Sequence, residues 1–138
     1  MADTDSTKKN MSRQKLRDLD IEIGFLEGVV KRDRRNVEAL QLLGDDYTQR
    51  GRYEEGLKID RRLARLCPGD PLVQYNLACS FSLTAEHRKA ANALRKAIQY
   101  GYRDFDHLRR DEDLAPLRKQ PVYAAIEKEI AQLEAELG

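Results

Sequence analysis

The chain holds 138 residues yet has no tryptophan, only three phenylalanines, four prolines and two cysteines. Each scarcity excludes something. Two cysteines, Cys67 and Cys79, cannot build the disulfide framework of a small secreted scaffold, and they read as small buried hydrophobes in a reducing cytoplasmic setting. No apolar run reaches the 18 residues that a transmembrane helix requires. Lys8 and Lys9 have no apolar stretch after them, so a secretory signal is not expected. Net charge is +1, from 25 Lys plus Arg against 24 Asp plus Glu. No global field therefore steers the protein to nucleic acid or to an anionic membrane. The chain also lacks a phosphate-binding glycine loop and a nucleophile motif. His87 and His107 have no metal-ligand spacing with Cys67 or Cys79. Neighbouring carboxylates such as Asp45-Asp46 and Glu54-Glu55 diverge on a helix instead of converging. No catalytic site, metal, cofactor or small-molecule substrate is expected.

What the chain does have is a helix-favouring mixture, 41% apolar and 36% charged, and a repeat. Leu43, Gly44 and Tyr47 return 34 residues later as Leu77, Ala78 and Phe81, Gly56 returns as Ala90 and Leu63 as Ala97. A fixed period of that length, with small and aromatic residues in phase, marks stacked helix hairpins that act by offering a surface.

Helix signals fit the period. Leu16, Leu19, Ile23, Leu26 and Val30 form one apolar stripe at spacings of three and four. Asn36 and Asp70-Pro71 are start signals, and Gly51, Pro68-Gly69 and Gly101 are stop signals. Helices are predicted over about 37–49, 53–66, 71–83 and 87–100. Further on, Asp104 can cap a short helix, Asp111 and Asp113 bracket a break, and Pro121 can open a last helix. Glu134 and Glu136 oppose the dipole at its end, which predicts fraying there. The expected organisation is a disordered tail at 1–14 and one helical domain at 15–138. Within that domain an N-terminal helix spans 15–35, a first repeat 37–70, a second 71–104 and capping helices 105–138.

These residues resemble the tetratricopeptide repeat family. The first repeat shows Leu43-Gly44, Tyr47, Gly56 and Pro68, and departs from the family pattern at Asp60 and Leu63. The second shows Leu77-Ala78, Phe81, Ala90, Leu94 and Ala97, and departs at Gln74 and Tyr102. The segment Gly101 to Ala125 resembles the terminal segment that follows the last repeat in some bacterial members. The resemblance implies an all-α, short solenoid of about six to eight helices. It implies a non-catalytic adaptor that binds a peptide or helix of another protein through a concave groove. In that family the first helix of each repeat lines the groove, which here would show Gln41, Asp45, Thr48, Tyr75, Asn76, Cys79 and Ser82.

Tyr75 is the natural anchor for a partner, or else a side chain packed on a neighbouring helix. Asn76 stands where one variant of the family grips a terminal carboxylate. Gln41 and Asp45 occupy positions where that grip needs Lys and Asn, and Asp45 would repel the carboxylate. Arg61, Arg62 and Arg65, with Arg103, Arg109 and Arg110, could contact phosphates. Nearby acids, Asp60, Asp104, Asp106, Asp111, Glu112 and Asp113, favour salt bridging instead, so nucleic acid is disfavoured. Self-assembly into a homo-oligomer, through the Leu16–Val30 stripe, is the alternative to a groove-binding adaptor.

Overall fold

A computed structural model describes residues 11–137. Among them are eight α-helices and one short 3-10 helix. Helix α1 spans Arg13–Arg32, α2 Val37–Arg50, α3 Tyr53–Leu66, α4 Pro71–Leu83 and α5 His87–Gln99. The C-terminal segment holds α6 (Phe105–Arg110), the 3-10 helix (Glu112–Leu114), α7 (Ala115–Arg118) and α8 (Tyr123–Leu137). The first ten residues of the expected tail lie outside the described region. Helix α1 already begins at Arg13, where the Ser12 hydroxyl accepts from the Lys15 N–H at 3.1 Å.

Side-chain caps start α2 and α4 as their sequences suggest. Asn36 Oδ1 accepts from the Ala39 N–H at 3.0 Å, and Asp70 Oδ1 from the Leu72 N–H at 2.9 Å, with Pro71 needing no donor. The ends of α2, α4 and α5 repeat one geometry. After α2, the N–H groups of Gly51 and Arg52 bond back to Thr48 and Tyr47, and Gly51 is left-handed at φ 85°. One period later Ala85 and Glu86 bond to Ser82 and Phe81, and Ala85 takes φ 62°. Gly101 and Tyr102 close α5 the same way, with Gly101 at φ 117°. Each closure is a pair of backward hydrogen bonds that satisfies two orphan carbonyls and demands a positive φ.

Consecutive helices pack as antiparallel neighbours, α1 on α2, α2 on α3, α3 on α4 and α4 on α5. Close crossings rest on the small residues. A Cβ on Gly44 would meet Asp60 Oδ1 at 3.0 Å and Ile59 at 3.3 Å; one on Gly56 would meet Thr48 Oγ1 at 3.2 Å. Ala78, Ala90 and Ala97 are fully buried in the second hairpin, beside Phe81 and Leu77. Leu43 and Tyr47 fill the corresponding space in the first. Pro68 lies in the turn after α3. Two apolar clusters result. One joins α1, α2, α3 and Val73; the other joins Leu57 of α3 with α4, α5 and the C-terminal segment. A fully buried Leu or Ile such as Leu40, Leu94 or Ile126 contributes about 1.5–3 kcal/mol each.

The stripe on α1 is taken up inside the molecule. Leu19, Ile23, Leu26 and Val30 are buried, and Ile23, Leu26 and Val30 join the first cluster with Leu40 and Leu43. It is therefore not a free face for a second copy. A different pair on α1, Ile21 and Phe25, points outward at 68% and 67% exposure.

The C-terminal segment folds back across α4. Leu108, Leu114, Leu117, Ile126 and Ile130 are fully buried against the second hairpin. The Ser82 hydroxyl accepts from the Leu117 N–H at 3.2 Å, and Arg118 donates to the Leu108 carbonyl at 2.8 Å. Helix α8 runs to Leu137, and Glu134 near its end is held by Arg109 Nη1 and Nη2 at 2.8 and 2.9 Å. The fraying expected there is corrected by this guanidinium, which also donates twice to Glu127. No helix of the described residues is long and apolar enough to cross a membrane.

Candidate functional site

Helices α2 and α4 run side by side as the first helices of the two hairpins, and the C-terminal segment closes the space beyond them. A cavity of about 200 Å³ lies between them. From α2 come Asp45, Thr48 and Gln49; from α3, Asp60; from α4, Tyr75, Asn76, Cys79 and Ser80. His107, Asp111 and Asp113 close it from the far side.

Five of the seven residues expected to face a groove therefore converge: Asp45, Thr48, Tyr75, Asn76 and Cys79. Two do not. Gln41 is exposed on α2 away from the cavity, a turn before Asp45. Ser82 is 1% exposed beneath Leu117, so its reading as a groove residue is corrected. The helical register that placed it there carries no information about the segment that folds over α4.

Tyr75 is also corrected as an exposed anchor, being 4% exposed. Its ring stacks on Tyr102 with centroids 4.3 Å apart and planes 11° apart, and its hydroxyl donates to Asp111 Oδ2 at 2.7 Å. Tyr102 stands where the first repeat has Pro68, so a departure from the repeat pattern fastens the C-terminal segment to α4. Burial, and then the anionic neighbourhood, raises the Tyr75 hydroxyl far above its ordinary pKa. Cys79, buried beside it, donates to the same Asp111 oxygen at 3.8 Å. Burial first, then Asp111, pushes its thiol up, so it is a protonated, unreactive group.

Asp111 is a hub. Oδ1 accepts from the Asp113 N–H at 3.0 Å and starts the 3-10 helix; Oδ2 takes Tyr75, and His107 Nε2 lies 3.3 Å from it. Cys79, Asp111 and Asp113 bring ligand-type atoms within 4.8 Å of one another. The hydrogen bonds from Tyr75, Cys79 and the Asp113 backbone use Asp111 as a structural acceptor.

Asp60 is the residue that sequence reasoning passed over as a mere departure. It is 7% exposed and accepts from the Ser80 hydroxyl through Oδ2. Desolvation raises its pKa to about 7, opposed by the Ser80 hydrogen bond and reinforced by the charge of Asp45. Asp45, at the rim, is raised by desolvation as well. The visible signal was the period itself: Asp60 occupies the position of Leu94, which is fully buried one repeat later.

A second perturbed acid lies outside the cavity. Asp46 is buried, and its Oδ2 finds no partner among the described residues unless a proton is shared. Burial, then the adjoining Glu22 carboxyl, raises its pKa. Arginines of the sequence patches have structural roles. Arg61 lies over the Phe81 ring at 5.8 Å, and Arg103 donates to the carbonyls of Ile98 and Tyr102 at the end of α5.

Residues 16–78 match the tetratricopeptide repeat family. A stretch of 82 residues is 33% identical to a protein of Arabidopsis thaliana described as chloroplastic, covering 55% of this chain and 24% of that protein. The chain thus spans about a quarter of the length of the curated relative it matches. Tetratricopeptide repeats generally mediate contacts between proteins. Helix hairpins in tandem and small residues at their crossings agree with the matching sequence profile: over residues 16–78 the chain is similar to the tetratricopeptide repeat family and folds as a short all-α stack of helix hairpins.

Proposed function

We propose that the chain is a non-catalytic interaction module that receives a peptide or helix of another protein between α2 and α4. The observation that carries this reading is the cavity, where Asp45 and Asn76 lie exposed at the mouth and Thr48 is half-exposed beside them. Polar side chains around a concavity between rigid helices can fix a partner's register, while the helices supply preorganisation. Replacing Asp45 and Asn76 together by arginine changes the mouth without touching the core. Full-length protein and this variant, each crosslinked in host extract, test the reading. A partner captured by the parent and lost from the variant, but kept by a Lys96→Glu control on α5, supports it. A partner kept equally by all three overturns it.

Self-association is the second reading, and Ile21 with Phe25 on α1 favours it. They lie one turn apart and form an exposed apolar strip on the first helix of the stack. Sedimentation that shows a dimer abolished by Phe25→Glu would support this reading. A monomer at all concentrations would remove it.

A further inference from the structure

Helix α1, 20 residues long, carries two glycines in its middle, Gly24 and Gly28. Glycine is destabilising inside a helix, because it gives the unfolded chain more freedom than any other residue. At Gly44 and Gly56 the fold explains that cost, since a Cβ there would crowd the facing helix. On α1 nothing inside the molecule asks for a glycine. A Cβ at Gly24 would meet nothing within 4 Å. One at Gly28 would meet only Arg32 Nη1 at 3.7 Å and Nη2 at 4.0 Å, ordinary contacts with the end of a flexible side chain. Both glycines share the outward face of α1 with Ile21 and Phe25, at spacings of three and four. Ile21 and Phe25 are exposed although large and apolar. The face therefore sets two apolar protrusions beside two notches.

Such a face is complementary to itself. Place a second α1 antiparallel across it, with a two-fold axis between Gly24 and Phe25. Ile21 then comes opposite Gly28 of the second copy, and the two Phe25 rings meet at the axis beside the two Gly24 positions. Glycine at the crossing lets the backbones approach closely. Charge agrees with the same register. On the edge that carries Phe25, Asp18 comes level with Arg32 of the second copy, and symmetry makes this contact twice. No described residue holds either side chain in an ion pair; Asp18 accepts only from Gln14 Nε2, at 2.9 Å. On the other edge Arg17 comes level with Lys31 of the second copy, a like-charge pair that limits affinity. A parallel pair would set Ile21 on Ile21 and Asp18 on Asp18 and leave the notches empty. Resting on the self-association reading, we propose that a second copy of this chain docks on the face of Ile21, Gly24, Phe25 and Gly28, forming an antiparallel, isologous pair of α1 helices.

Sedimentation equilibrium of the full chain reads the dimer constant. Gly28→Leu puts a better helix former into open space, so its Tm should hold or rise while dimerisation weakens at least about tenfold. Asp18→Arg and Arg32→Asp should each weaken dimerisation about tenfold, because each turns two attractions into two repulsions. The double exchange should restore the parental constant. Residues 18 and 32 lie about 21 Å apart along one helix, so that rescue can come only from a second copy in antiparallel register. A dimer that Phe25→Glu abolishes but Gly28→Leu leaves intact, or one that the double exchange fails to rescue, overturns the antiparallel pairing and keeps self-association. A monomer at every concentration overturns both. If a photo-crosslinking residue at position 25 of that monomer then captures a different protein in host extract, the face belongs to that protein.

Discussion

Exchanging the residues at two equivalent turns should move stability in opposite directions. Gly51 and Ala85 occupy the same place in successive hairpins, with the same pair of backward hydrogen bonds and φ of 85° and 62°. A left-handed conformation costs an L-residue about 1–2 kcal/mol relative to glycine. Glycine gives back about 0.4–1 kcal/mol through the greater freedom of the unfolded chain. The net expectation for Ala85→Gly is a gain of about 0.5–1 kcal/mol. For Gly51→Ala it is a loss of similar size, because a Cβ there meets nothing within 4 Å and only the backbone term remains. Differential scanning calorimetry of the two variants and the parent would read these as Tm shifts of about 2–5 °C, up and down, for a domain of this size. The double variant should return close to the parent, since the sites lie in separate turns. If Ala85→Gly lowers Tm while Gly51→Ala leaves it unchanged, the turn geometry is not what limits these positions, and the equivalence drawn between the hairpins fails.

Three further outcomes follow from the C-terminal segment and the buried acid. Asp60 has a folded-state pKa near 7 against an ordinary 3.8, so protonation favours the folded state. The penalty is absent below about pH 4, grows as pH rises through 7, and reaches up to about 4 kcal/mol. Asp60→Asn should therefore gain on the parent between about pH 4 and pH 8 in urea titrations; a constant difference across that range would refute the shift. Ser82→Ala leaves the Leu117 N–H without its acceptor and should cost about 1–3 kcal/mol by denaturant unfolding, with no change if the bond is dispensable. Arg109→Ala frees both Glu127 and Glu134, and loss of helical circular dichroism at low salt, shrinking at high salt, would report the release of the end of α8.

The spacing of small and aromatic residues made the hairpins legible. The starts at Val37, Tyr53 and Pro71 were readable from caps, glycine and proline, whereas His87 followed from the repeat period and a short turn. Those signals are local, written within a turn of where they act. The closure at Ala85 was not, because alanine carries no mark of a positive φ. The fold-back over α4 was hidden for a different reason. Ser82 meets Leu117 and Tyr75 meets Asp111, each across more than thirty residues, and no periodicity encodes such a pairing. The cavity was half visible: α2 and α4 contributed from register, whereas Asp60, His107, Asp111 and Asp113 entered through tertiary folding.

The core is divided into two apolar clusters, meeting at Ala64, which packs against both. In a stack where each helix touches chiefly its neighbours, such a division predicts two units with different opening free energies. Hydrogen exchange should resolve them, the unit built on α4, α5 and α8 opening independently of the one built on α1 and α2. The cavity straddles that seam, with Asp45 on one side and Tyr75 on the other. A ligand held from both sides of the seam is bound only while both units are closed, so occupancy would couple the two openings into one.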